Sequence, residues 1–167
     1  MLSEIFSPNR IILDLESATK TDVFGELIEK LDLSVSEYDR QKLLDAVFIR
    51  ENKMSTNIQP GLAVPHGYCS NVQGVVGAIG FHRTGIEYDY TMLENQSDVP
   101  DAAASEPDKD QSKNPVHMFF MLLMDESSRE QHLQVFGRLL DLFKSPLFSE
   151  IQKAKTPQEA YDLLCCF

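Results

Sequence analysis

One stretch constrains the fold more than any other. Between Pro115 and Met124 the chain reads Val116, His117, Met118, Phe119, Phe120, Met121, Leu122, Leu123, with one polar side chain in the run. A strand open to water on one face alternates apolar and polar residues. A continuous apolar run of strand length fits a central strand covered on both faces. Covers are supplied before and after it. Val23, Phe24, Leu27, Ile28 and Leu31 recur at helical spacing, as do Leu43, Leu44, Val47 and Phe48. Thr21 offers a cap for a helix starting at Asp22, and Ser36 with Asp39 a capping pair for a second, which ends near Arg50-Glu51. Downstream, Ser127 with Glu130 opens a long helix predicted to turn Leu133, Phe136, Leu140 and Phe143 inward. Ser145-Pro146 starts a short helix containing Ile151. Thr156-Pro157-Gln158-Glu159 is a capping box for a last helix with Ala160, Leu163 and Leu164.

Other strands are expected at Arg10 to Leu15 and at Val75 to Phe81, with a short edge strand from Gly85 to Tyr88. Gly74, Gly77 and Gly80 in the second imply close backbone approach or bulges. Met54 to Pro60 reads as a polar loop. Strands and helices alternate, so the class is α/β, a mixed central β-sheet flanked by helices on both faces, an αβα sandwich. At 167 residues one domain is expected. Residues Glu94 to Asn114 interrupt it with six acidic residues, two prolines and no aromatic, which predicts a flexible acidic surface insertion.

The formal net charge of −11 argues against nucleic acid and against anionic membrane as partners, and favours a partner with a basic patch. No basic region followed by an apolar run opens the chain, and no apolar stretch reaches the ~20 residues of a membrane helix. Cys69, Cys165 and Cys166, two of them adjacent, form no disulfide framework. A cytoplasmic setting is the expectation.

The chemistry points to Gly61-Leu62-Ala63-Val64-Pro65-His66-Gly67. Three apolar residues read as a brief buried strand that Pro65 ends, leaving His66 in the loop beyond it. A titratable imidazole at the tip of a rigid element suits a nucleophile, and open α/β sheets bind ligands outside the carboxyl ends of their strands. The plainer reading of His66 is a structural or surface residue. His117, near the start of the central strand, is either a satisfied core histidine or a companion of His66, if their strands are neighbours. Arg50 either caps its helix end or offers a planar fork to phosphate oxygens. Ser55 and Thr56 supply hydroxyl donors or simply a turn. His82 and His132 read as surface residues. His66-x-x-Cys69 has metal-like spacing but lacks the second ligand pair of a zinc site, and no glycine-rich nucleotide loop is present. A Cys69–histidine nucleophilic pair has no local signature behind it.

Arg50-Glu51, Ser55-Thr56-x-Ile58 and Ala63-Val64-Pro65-His66-Gly67 together resemble the signature of the mannitol/fructose-type enzyme IIA domains of the phosphoenolpyruvate-dependent sugar phosphotransferase system (PTS), a signature shared by its nitrogen-regulatory branch. Pro115-Val116-His117 looks like that family's second active-site histidine. Gln131-His132-Leu133 to Leu140 and the Thr156 to Ala160 helix start are similar too, so the resemblance spans nearly the whole chain. Asn52-Lys53-Met54 and Gln59-Pro60 stand where the family carries glycines, and the acidic insertion is longer than usual. The resemblance implies a phosphocarrier with catalytic His66, His117 and Arg50, supported by Ser55 and Thr56. Phosphate would arrive from an HPr-type phosphocarrier protein on Nε2 of His66. It would leave to an enzyme IIB, or its presence would control a regulated protein. No metal and no cofactor are implied. With no IIB or membrane domain in this stretch, the nitrogen-type role gains slightly, while free-standing transport domains stay open. The altered loop before Gly61 keeps a third reading, a degenerate domain that no longer accepts phosphate.

Overall fold

The apolar run becomes the centre of the sheet. The computed structural model describes residues 2–31, 37–70, 72–88 and 115–167. The expected acidic insertion and the Ser36 cap lie outside the described residues.

Among the described residues six strands form one mixed sheet: β1 (Ile11–Ile12), β2 (Asn57–Gln59), β3 (Leu62–Ala63), β4 (His66–Tyr68), β5 (Val75–Ile86) and β6 (Val116–Met124). The order is β1-β5-β6-β3-β2, with β4 also paired to β6. β6 runs antiparallel to β5 and parallel to β3 and β4, so it is flanked along both edges. Its even residues, Met118, Phe120, Leu122 and Met124, pack against α1 (Leu2–Ile5), α4 (Arg129–Lys144), α5 (Pro146–Ile151) and α6 (Pro157–Cys165). Its odd residues Phe119, Met121 and Leu123 pack against α2 (Lys20–Lys30) and α3 (Glu37–Glu51). Both faces are therefore covered, as the unbroken apolar run requires. Gly77 and Gly80 allow that cover to close. A Cβ at Gly77 would fall 2.4 Å from the Phe6 ring, and one at Gly80 2.6 Å from Leu15.

Several boundaries differ from expectation. β1 holds only two residues, because Pro8–Arg10 forms a 3-10 turn before it; Leu15 is still tied in, its N–H donating to the Phe81 carbonyl at 2.8 Å. α2 starts earlier, capped by Thr19, whose hydroxyl accepts from Asp22 N–H at 3.2 Å. The expected edge strand is the far end of β5, which continues past a register shift between Phe81 and Ile86. The expected polar loop contains β2, a hairpin partner of β3 across a turn where Gly61 takes φ +83°.

The inward face of helix α4 matches the predicted one only in part: Phe143 and the half-buried Phe136 pack on the core as expected, Leu133 and Leu140 do not. Val135, Leu139, Leu142 and Phe143 face inward, while Leu133 is 71% exposed and Leu140 38%. The turn before the helix sets this phase. Asp125 accepts from Gly74 N–H at 2.6 Å, Ser127 N–H at 2.7 Å and the Ser128 hydroxyl at 2.9 Å, anchoring the helix start to the beginning of β5. These bonds hold the Asp125 carboxyl at about 2, with the Ser127 hydroxyl the leading cause. α6 carries the predicted cap, Thr156 accepting from Glu159 N–H at 3.1 Å. Among the described residues no helix is long and apolar enough to cross a membrane.

Candidate functional site

His66 sits within the sheet, which corrects its expected place in a loop. β3 and β4 are one line of chain along β6, interrupted at Val64-Pro65. Proline has no N–H to give a ladder, so the break falls there. The bowed segment stays tied. Val64 N–H donates to the Thr56 carbonyl at 2.9 Å, and the Pro65 carbonyl accepts from Leu122 N–H at 2.9 Å. Pairing resumes at once, with His66 opposite Leu122. The Val64 carbonyl, outside the ladder, accepts Nδ1–H of His66 at 2.9 Å. A carbonyl can only accept, so Nδ1 carries the proton and Nε2 keeps its lone pair.

Gly67 lets α3 close over this strand. A Cβ there would lie 2.8 Å from the backbone of both Ala46 and Val47. That approach carries the end of α3, Arg50 and Glu51, to the site. Arg50 donates from Nη1 to the Met54 carbonyl at 2.8 Å, and among the described residues no carboxylate lies within ion-pair distance of it. Glu51 is buried. Its carboxylate accepts from the N–H and hydroxyl of Thr56 and pairs with Lys20 Nζ at 3.4 Å. Thr56 is thus a brace for the loop rather than an open donor. Ser55 accepts from Asn57 N–H at 3.3 Å in a local turn. Arg50, Met54, Ser55, Thr56, Asn57, Ile58, Val64, His66 and Phe136 line one cavity of about 400 Å³.

The fourth wall comes from α4. The His132 ring lies 5.2 Å from the His66 ring, centroid to centroid, and Phe136, one turn on, lies 5.9 Å from it. Burial pulls the His66 pKa below its ordinary 6.5; the Val64 bond opposes this, Arg50 and His132 reinforce it, and Glu51 opposes it. His132 is lowered too, by burial and then by Arg50. An imidazole held toward its neutral form and a guanidinium without an ion pair among the described residues therefore line one cavity, with the His132 ring packed against that imidazole.

Of the expected residues, the structure gathers His66, Arg50, Ser55 and Thr56 and leaves His117 out. His117 stands five positions before Leu122, the partner of His66, which is about 17 Å of strand. His117 is exposed and lines a different cavity of about 510 Å³ with His82, Arg83 and Phe148. The second ring beside His66 is His132, which the sequence reading assigned to the surface. Its signal was helical: His132 and Phe136 are four apart near the start of a helix following the central strand. Glu51 and Tyr68 were missed as well. Tyr68 shares a strand face with His66, and its hydroxyl lies 3.0 Å from Nδ1 of His132.

A mixed αβα sandwich that buries a tautomer-fixed histidine beside a second imidazole and a guanidinium without an ion pair suits an anion-handling protein of the phosphotransfer class. The chain belongs to the family described as phosphoenolpyruvate-dependent sugar phosphotransferase system EIIA 2, matched over residues 4–165. It is 29% identical over 163 residues to the PTS fructose-specific EIIABC component of Bacillus subtilis, covering 98% of this chain but 22% of that protein. It is 26% identical to the PTS fructose-specific EIIA component of Haloferax volcanii, covering 98% of this chain and 94% of that one. Among solved structures, the nitrogen regulatory protein IIA-Ntr of Neisseria meningitidis superposes with a TM-score of 0.75 at 25% identity, covering 98% of each chain. The Escherichia coli enzyme IIA-Mtl, solved in complex with phosphorylated enzyme IIB-Mtl, shares the fold with a TM-score of 0.66 at 16% identity, over 97% of this chain and 98% of that one.

Proposed function

We propose that His66 accepts a phosphoryl group on Nε2 from an HPr-type phosphocarrier protein and passes it to an enzyme IIB. The observation that carries this is the His66 ring itself. It is buried, it lines the cavity, and its Nε2 is left deprotonated because Nδ1–H is committed to the Val64 carbonyl.

In-line transfer between two imidazoles needs positioning and charge stabilisation more than covalent help. The Nε2 lone pair attacks phosphorus as the donor's P–N bond breaks, and the donor ring recovers its lone pair. No proton moves. The His66 ring takes up formal positive charge, which the Nδ1–H bond to Val64 and the nearby Glu51 carboxylate favour. Arg50, on the cavity wall, supplies a planar fork for the equatorial oxygens, and His132, its ring 5.2 Å from that of His66, supplies a second N–H. His117 drops out of the mechanism. The exposed apolar residues Ile49, Met54, Ile58 and Leu133, on the elements that frame the cavity, suit a protein rather than a free nucleotide as donor. The formal charge of −11 suits basic partner faces and fast exchange of partners.

A regulatory use of the same phosphorylation stands beside this one, since relatives include both fructose-specific components and nitrogen regulatory proteins. The test is incubation with phosphoenolpyruvate, enzyme I and HPr. Label is expected on the wild-type chain and none on His66→Ala. Label that survives His66→Ala, or an unlabelled but folded wild type, overturns the proposal. Adding a IIB protein then separates onward transfer from regulation.

A further inference from the structure

We propose that Tyr68 is a positioning residue, its hydroxyl donating to Nδ1 of His132 and so placing that ring's proton on Nε2, where it meets the phosphoryl group. The assignment rests on the reading of His66 as the phosphoryl acceptor.

The geometry begins with strand alternation. His66 and Tyr68 are two residues apart on β4 and share one face, while Gly67 between them faces α3. The helix over the shared face is α4, and its His132 touches both rings. His132 lies 5.2 Å from the His66 ring and 5.8 Å from the Tyr68 ring, the latter nearly edge-on at 88°. The Tyr68 oxygen is 3.0 Å from Nδ1 of His132. The other nitrogen, Nε2, is buried and has no hydrogen-bond partner among the described residues. The charged and titratable groups around the pair are Arg50 and Glu51 from α3, His66 from β4, Arg129, whose guanidinium lies 5.8 Å from the Tyr68 ring, and Lys42, Asp45 and Lys53, which line a cavity with Tyr68.

A neutral imidazole carries one proton, and a phenol can donate or accept, so two arrangements fit the 3.0 Å contact. If Nδ1–H donated to Tyr68, the buried Nε2 would carry a lone pair with no donor to meet it, on a ring packed against His66 and beside the place an anion would arrive. If Tyr68 donates, Nε2–H is a donor held ready for a phosphoryl oxygen, and the unpartnered nitrogen gains its partner in the loaded state. The second arrangement is the one the pocket favours. The same device operates twice: the Val64 carbonyl fixes the tautomer of the nucleophile, and the Tyr68 hydroxyl fixes the opposite tautomer of its neighbour.

Tyr68→Phe keeps the ring packing and removes only the hydroxyl. Two-bond proton–nitrogen correlation on histidine-labelled wild-type protein at pH 8 should report His132 as the Nε2–H tautomer, and Tyr68→Phe should convert it to a mixture. Transfer from phosphorylated HPr should slow by roughly three- to tenfold, the scale of one neutral hydrogen bond. That deficit should shrink as the pH falls, because doubly protonated His132 donates from Nε2 without help. A purely structural role for Tyr68 would leave the tautomer and this pH dependence unmoved. An Nδ1–H tautomer in the wild type overturns the assignment, as does a Tyr68→Phe protein with unchanged tautomer and rate. An unlabelled wild type instead removes the acceptor reading itself, and the proposal with it; the tautomer measurement then still says whether Tyr68 sets the ring.

Discussion

Beside the middle of β6, His66 donates Nδ1–H to the Val64 carbonyl at 2.9 Å; at the start of β6, His117 donates Nδ1–H to the His82 carbonyl at 3.0 Å. The two imidazoles hold the same tautomer on neighbouring strands. Their surroundings differ. His66 is buried, has His132 against it, and shares its cavity with an arginine that makes no ion pair among the described residues. His117 is exposed, and the arginine in its cavity, Arg83, is paired with Asp14 at 2.9 Å. A fixed tautomer is therefore cheap and common. What sets the His66 end apart is desolvation plus a guanidinium not tied up in an ion pair, the combination that favours a phosphoryl group over water.

The sharpest way to break this contrast is to delete each second histidine. His132→Ala should lower the rate of phosphoryl acceptance by about 10²–10³, the usual loss when one oxyanion donor is removed. His117→Ala should leave it within about twofold, on the same scale. Single-turnover transfer from phosphorylated HPr measures both. Equal losses in the two variants would erase the distinction between the ends. Next in size is Arg50. Arg50→Ala should cost roughly ten- to hundredfold, and Arg50→Lys nearly as much, because a point charge does not reproduce the fork.

The sandwich was legible because its signals are long: the unbroken run of β6, the apolar stripes of α2 and α3, and the Thr156 cap. Short elements were not. β2 is three residues of an edge hairpin, and its pattern is that of a polar loop until β3 pairs with it. The site was half legible. Arg50 and His66 stand next to local signals, a helix end and a proline. His132 was lost through a helix phase error, because Leu133 and Leu140 look like core until the Asp125 turn fixes the rotation. His117 lies on a strand that neighbours the one carrying His66, yet neighbouring strands do not make neighbouring side chains: His66 stands opposite Leu122. Register decides that, and a single sequence does not carry register.

Glycines sharpen the comparison on the stability side. Gly67→Ala drives a Cβ to 2.8 Å from the α3 backbone, which has no side chain to swing away. A loss of about 1–3 kcal/mol is expected, with slower phosphoryl acceptance because Arg50 and Glu51 ride on α3. Gly85→Ala at the other end meets Pro115 at 2.5 Å and starts from φ +78°. It should destabilise by a similar ~1–3 kcal/mol yet spare acceptance per folded molecule. Gly137→Ala, on α4 with nothing within 4 Å, should stabilise by ~0.5–1 kcal/mol and serves as the control. Chemical denaturation read beside the transfer assay separates the three.

The smallest effect is the one on pH. His66 must be neutral to attack, and burial, then Arg50 and His132, hold its pKa below 6.5 against the pull of Val64 and Glu51. Acceptance should therefore stay level as the pH drops through 6.5 and fail only further down. Arg50→Ala should move that midpoint up toward 6.5 and His117→Ala should not, as a pH–rate profile would reveal. The sign for stability follows. Both His66 and His132 bind protons less readily folded than unfolded, so their contribution is full above 6.5 and is lost as the pH falls through the folded values. Asp125 acts in a lower window, full above 3.8 and lost toward about 2. His66→Gln with His132→Gln should flatten the loss of thermal stability just below 6.5 and leave the steeper acid limb in place. A limb that moved with the histidines would mean that they, and not Asp125, set the acid limb.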